Sequence, residues 1–146
     1  MSIKENETIA RRFEEAANTG NTADAAEFIA PGFTQYGPGT PPLPSGPEGF
    51  QELIRFYRAV FPDLHLTIED MLVTEDKAAI RYRVRGTHRG EFEGIPPTGK
   101  QVETMGIDIV HITDGKITKA WTLYDTLGFL QQIGAVRLAP VAQATR

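Results

Sequence analysis

The hydrophobic pattern changes period once along the chain. Before Leu64 apolar residues recur at helical spacing, and after it they alternate. Ile9, Phe13, Ala16 and Ala17 share one helical face and predict a helix over about Ser2 to Asn18, broken by Gly20 and Asn21. A second short helix is expected from Thr22 to Ile29, with Asn21 or Thr22 as N-cap and Pro31-Gly32 as its stop. Phe33 to Tyr36 reads as a short strand. Gly37 to Gly46 contains Pro38, Pro41, Pro42 and Pro44, so it is a loop, long enough to cover an opening. Pro47 suits the first turn of a third helix. Its stripe is Phe50, Leu53, Ile54, Tyr57 and Phe61, and Pro62-Asp63 ends it.

Period two then takes over. Leu64, Leu66 and Ile68 alternate with His65, Thr67 and Glu69, and the phase slips near Met71, which predicts a bulge. Ile80, Tyr82 and Val84 alternate with Arg81, Arg83 and Arg85 in a long strand. Gly94 to Gly99 reads as a proline-containing hairpin loop. A third long strand covers about Gln101 to Thr113, Asp114-Gly115 turns, and Ile117 to Tyr124 returns. Thr126 to Ile133 supplies one or two helical turns before Gly134. Helices followed by a meander of strands predict an α+β fold: an antiparallel sheet with helices on one face and a pocket between the layers.

Length and composition narrow this picture. The 146 residues suit one domain, read here as 1–134 with a tail at 135–146. Hydrophobic residues at 40% and charged residues at 23% are those of a globular chain. There is no cysteine, which removes disulfides and thiolate chemistry. Ser2 and Ser45 are the only serines, and neither sits in a nucleophile-elbow pattern. A net charge of −4 offers no basic excess for nucleic acid. No apolar run approaches the roughly 20 residues of a membrane span, and the N-terminus has no signal-peptide core. The expectation is a soluble, cytoplasmic protein with no nucleic-acid or membrane partner.

What remains for chemistry is carboxylates, tyrosines, lysines and three histidines. Ile117, Lys119, Trp121, Leu123 and Asp125 share one strand face. If Trp121 and Leu123 are buried, Asp125 is desolvated beside them, its pKa rises, and it suits general acid/base work. It reads equally as the N-cap of the helix that follows. Asp108 interrupts an otherwise apolar strand, with Ile107 and Ile109 on one face and Val110 and Ile112 on its own. It is the second candidate site residue, and it lies either on a solvent face or buried as a polar group with a partner. His65, His88 and His111 lie in separate strands without metal-clamp spacing, so no metal is expected. Arg81, Arg83 and Arg85 form either a solvated stripe or an anion contact. Tyr36, Phe56, Tyr57 and Phe61 are core residues, or walls that stack on a flat ligand.

Several of these segments occur together in one order: Phe61-Pro-Asp63, Gly86-Thr-His88, Gly94-Ile-Pro-Pro-Thr-Gly-Lys100, Asp114-Gly-Lys-Ile117, then Trp121, Asp125 and Gln131-Gln-Ile-Gly134. The set resembles the SnoaL-like polyketide cyclase (ester cyclase) family of the nuclear transport factor 2-like superfamily, over about Ile9 to Gly134. The resemblance implies a cone-shaped α+β fold, with N-terminal helices and a curved antiparallel sheet enclosing a pocket, and a homodimer. It also implies an intramolecular aldol-type ring closure of a polyketide methyl ester without metal or cofactor. One Asp near the end of the last strand acts as acid/base in that reaction, and it maps onto Asp125. A pocket histidine on the penultimate strand maps onto His111, and an acidic residue of the related steroid isomerases onto Asp108. Relatives often carry His before the Trp, where this chain has Ala120, and many carry a His where this chain has Gln35-Tyr36.

The function expected is therefore cofactor-free proton abstraction alpha to a carbonyl on a small hydrophobic ester or ketone. Asp125 would be the base, and His111, Asp108 or Tyr36 would steady the enolate oxygen. Tyr36, Phe56, Tyr57, Phe61, His88 and Trp121 would hold the substrate. Two alternatives stay open. Epoxide hydration needs Arg81 or Arg83 inside the pocket. A ligand-binding or dimerisation module without catalysis would be favoured by a sealed pocket, or by an exposed Asp125 with no cavity beside it.

Overall fold

The computed structural model describes residues 2–140. Helix α1 spans Ile3–Thr19. The Ser2 hydroxyl caps it by accepting from the Glu5 amide at 3.0 Å, and Gly20, at φ 71°, ends it in the left-handed conformation. Helix α2 spans Pro47–Val60, with proline in the first turn as its fixed φ favours. Helix α3 is short, Thr126–Gln132. The strands are β1 Ile29–Tyr36, β2 His65–Val73, β3 Lys77–Thr87, β4 Gln101–Thr113 and β5 Lys116–Tyr124. They form one five-stranded sheet in the order β1-β5-β4-β3-β2.

Two expectations are corrected. The helix expected over Thr22–Ile29 is only a 3-10 turn at Ala25–Glu27. Phe28 and Ile29 are buried in the core, and the Ile117 amide bonds the Phe28 carbonyl at 2.8 Å, so the chain has already turned into the sheet. The sheet is also mixed rather than antiparallel, because β1 runs parallel to β5. All of α2 and β2 to β4 lies between those two strands, so no hairpin dictates their direction. The slip expected near Met71 is present as a register shift between Ile68 and Asp70. Residues 94–99 lie in a long loop containing a single bridge, Phe92 to Ile95. Of the tail expected at 135–146, residues 141–146 lie outside the described residues.

Helices α1 and α2 cover the sheet face that carries Leu66, Ile80, Val84, Val110, Ile117 and Ala120, all buried. Phe13, Phe28, Phe33 and Phe50 lock the layers at one end, with ring centroids 5.1–6.4 Å apart. A second aromatic group, Phe61, Phe92 and Phe129, closes the other end. On β4 burial alternates without a break from Gln101 to Val110. Thr104, Gly106, Asp108 and Val110 face inward, while Met105, Ile107 and Ile109 are exposed. No helix is long and apolar enough to cross a membrane among the described residues.

Candidate active site

Between the helices and the sheet lies a cavity of about 100 Å³. Its walls are mostly rings and aliphatic chains: Phe13 and Leu53 from the helical layer, Phe56, Tyr57, Phe61, Phe92 and Phe129 around them. Pro38, Gly39 and Thr40 of the proline-rich loop also line it, so that loop does cover an opening. The polar lining is concentrated on Glu14 of α1, Gln35 of β1, Tyr82 of β3, Asp108 of β4, and Thr122 and Tyr124 of β5.

Asp108 and Glu14 form the electrostatic centre. Both are almost wholly buried, at 4% and 3% exposure, and their carboxyls share a hydrogen bond. Asp108 sits between Ile80 and Thr122 in the sheet register. Burial raises its pKa, while Glu14 and the hydroxyls of Thr122 and Tyr82 favour its charged form. Glu14 has no such helpers. Burial lifts it well above the ordinary range, and the neighbouring Asp108 charge lifts it further. Glu14 Oε1 and Asp108 Oδ1 are buried, and no donor among the described residues reaches them. A proton held between the two carboxyls would satisfy both oxygens.

The surrounding groups fit this reading. Gln35 Nε2 donates to Thr122 Oγ1 at 2.5 Å, which leaves the Thr122 hydrogen free to point elsewhere. Gly106 makes room for Tyr82: a Cβ at that position would lie 2.6 Å from the ring carbon bearing its hydroxyl. Burial pushes the Tyr57 and Tyr82 phenols far above their ordinary pKa, with the charges of Asp108 and Glu14 adding to it, so both keep their protons.

The raised Glu14 pKa fixes the sign of a pH effect. It means that the unfolded chain releases its proton first, from about 4.5. The stability gained from holding that proton is full below this value and is lost as pH rises through the folded pKa. Every tenfold difference in proton affinity between the folded and unfolded chains corresponds to about 1.4 kcal/mol. Thermal melts from about pH 5 to about pH 8 should show wild type losing stability relative to Glu14→Gln as pH rises. Parallel curves would contradict the raised pKa.

The candidates from sequence divide into two groups. Asp108, Phe56, Tyr57 and Phe61 line the cavity together. Asp125, His111, Tyr36, Trp121 and His88 do not. The premise that Trp121 and Leu123 bury Asp125 is corrected: they are 40% and 67% exposed, and Asp125 is exposed with them. Its side chain accepts from the Gly128 amide at 2.9 Å and caps α3. The cavity passes beside it, along Tyr124 and Thr126, but not to it. Tyr36 and Trp121 stack on each other on the outer face at 5.1 Å, and His111 lies against Trp121 at 4.8 Å. His88 is fully buried behind Phe61 and Phe129, and its Nδ1 accepts from the Thr98 amide at 3.2 Å. Arg81 and Arg83 pair with Glu69 on the exposed side of the sheet, at 2.9 and 3.2 Å. The arginine that epoxide hydration needs is therefore not in the cavity.

Sequence reasoning passed over Glu14, Tyr82 and Thr122. The signal for Glu14 was its place on the apolar face of α1, next to Phe13 and one turn from Ala10 and Ala17.

The comparisons with known proteins place the chain in a family. The sequence model of the family described as SnoaL-like polyketide cyclase matches residues 7–133. The chain belongs to that family. It is 32% identical over 133 residues to the aklanonic acid methyl ester cyclase DnrD of Streptomyces peucetius, covering 86% of this chain and 88% of that one. It is 31% identical over 121 residues to the nogalonic acid methyl ester cyclase of Streptomyces nogalater, covering 82% and 90%. Among solved structures, TsrD from Streptomyces laurentii superposes with a TM-score of 0.83 at 30% identity, over 93% of this chain and 99% of that one. The α+β cone expected of SnoaL-like cyclases is the fold observed.

Proposed function

We propose that this SnoaL-like chain closes a ring in a polyketide methyl ester, with Asp108 as the acid/base group. The observation that carries the proposal is a buried carboxyl pair on the wall of an otherwise aromatic cavity. Asp108 is the member held toward its charged form, and desolvation strengthens it as a base. It takes a proton from the carbon alpha to a carbonyl. The phenol of Tyr57, kept protonated by burial, donates to the enolate oxygen as charge develops there. The rings of Phe56, Phe61, Phe92 and Phe129 stack on a flat substrate and hold it folded near the base. Gln35 Oε1 is buried without a donor, and it accepts from a substrate hydroxyl.

The test is incubation of the purified protein with the methyl esters named in its relatives, those of aklanonic and nogalonic acid. Ring closure at a rate above buffer is the expected result, and an unchanged ester with either substrate would overturn the proposal. In this reading Asp125 serves α3. Asp125→Ala should cost about 1 kcal/mol of stability, read from thermal melts, and leave ring closure within a few-fold of wild type. Lost turnover in a folded Asp125→Ala protein would return the acid/base role to that residue.

The homodimer is part of the same proposal. Met105, Ile107 and Ile109 of β4, Trp121 and Leu123 of β5 and Tyr36 of β1 form one exposed apolar surface, joined by the pairs Ile107–Leu123, Ile109–Trp121 and Tyr36–Trp121. Arg81, Arg83, Glu69 and Glu103 flank it in mutual ion pairs. An apolar centre with a charge-balanced rim suits a second copy of the same surface across a two-fold axis.

A further inference from the structure

We propose that Glu14 is the second acid/base residue of this cavity: it gives its proton to the acceptor carbonyl oxygen and regains one from Asp108 through the hydrogen bond that joins them. The inference rests on the cyclase reading above and adds a proton donor to it.

Three observations carry it. First, Glu14 and Asp108 both line the cavity, so both reach a bound substrate. Second, Glu14 Oε1 and Asp108 Oδ1 are buried with no donor among the described residues, and one proton held between the two carboxyls would satisfy both. Third, the surroundings decide which carboxyl keeps that proton. The hydroxyls of Thr122 and Tyr82 favour charge on Asp108, and Gln35 orders Thr122 by donating to its oxygen. Glu14 receives none of this help. On this proposal the resting proton sits on Glu14, beside ionised Asp108.

The proton bookkeeping of an aldol-type closure then balances without solvent. Asp108 takes the α-proton, and the C–H electron pair becomes the enolate. The enolate carbon bonds to the acceptor carbonyl carbon. The C=O π pair moves to oxygen, which takes the proton from Glu14 and becomes a hydroxyl. Asp108 is left neutral and Glu14 ionised. Transfer of one proton across their shared hydrogen bond restores the starting state. The substrate has isomerised, and no proton has been exchanged with water. Adjacent carboxyls cannot both ionise at low cost in a buried site, which keeps the pair in its one-proton form. The other titratable groups near the pair are Tyr57 from α2, Tyr82 from β3 and Tyr124 from β5, all with raised pKa values.

Two measurements test this. In the first, carbon-13 NMR reads the carboxyls of wild-type protein labelled at glutamate alone, then at aspartate alone. One glutamate carboxyl should remain protonated at neutral pH. A protonated carboxyl on the aspartate label, or on neither, overturns the inference without any substitution. In the second, ring closure of the methyl ester is followed against pH in wild type and Glu14→Gln. Gln keeps the volume and a donor to Asp108, but it has no proton to give to an alkoxide. The variant should lose about 10²-fold or more in kcat at little change in KM. The fall in wild-type rate at high pH, where Glu14 loses its proton, should disappear. Wild-type closure with an unaltered rate and profile in Glu14→Gln overturns this inference alone. No closure by wild type overturns the cyclase reading, and this inference with it.

Discussion

Asp108→Asn is expected to lower kcat for ring closure by about 10²–10⁴-fold, the usual contribution of a positioned general base. The amide nearly matches the carboxylate in shape. Its oxygen can still accept from the Tyr82 and Thr122 hydroxyls that face residue 108. What it loses is the ability to take a proton at the pH of the reaction. Substrate contacts come mainly from the aromatic walls, so KM should stay within a few-fold. The split between kcat and KM separates a lost base from a damaged cavity. Folding is not endangered: a raised carboxylate pKa destabilises the folded state at neutral pH, and the neutral amide removes that cost. A folded Asp108→Asn protein with wild-type kcat would mean that another group takes the proton.

The second large effect concerns assembly. Ile109→Asp together with Leu123→Asp should convert a dimer to a monomer in sedimentation. Both side chains are exposed in the single chain, at 43% and 67%, so the fold does not need them buried. At the centre of an apolar interface, each change would cost about 2 kcal/mol or more, roughly 30-fold in Kd. Added charge on both copies also sets like against like across the two-fold axis. A wild-type protein that sediments as a monomer at all concentrations would contradict the dimer. So would a double variant that stays dimeric.

That outer surface also explains which parts of the site were legible in the sequence. Alternation located β2 to β5 and the bulge in β2, helical spacing located α1 and α2, and of β1 only Phe33 to Tyr36 was expected. The direction of β1 was not legible, because a strand paired with a partner distant in sequence carries no turn to orient it. The burial of Asp125 was misjudged for a related reason. On β5 the more hydrophobic face, Trp121 and Leu123, points outward, and the face with Thr122 and Tyr124 points to the cavity. Hydrophobicity alone does not tell which face of a strand is covered, and a cavity wall needs polar groups that a filled core does not. The same ambiguity on β4, apolar on both sides of Asp108, was visible as a pattern but had two solutions. Glu14 lay on a largely apolar helix face with Ile9, Ala10, Phe13 and Ala17, where an isolated carboxylate needs a partner. That partner came from β4, far away in sequence, and only the fold brought them together.

The reacting carbon should sit against Asp108 inside this cavity. A crystal structure of Asp108→Asn with aklanonic acid methyl ester bound tests it most directly, because the variant should bind the ester without consuming it. The ester should lie among Phe56, Phe61 and Phe129, with the carbon alpha to its carbonyl about 3–3.5 Å from the side chain of residue 108. An ester seated instead against Asp125, or on the outer face beside Trp121 and His111, would contradict the account.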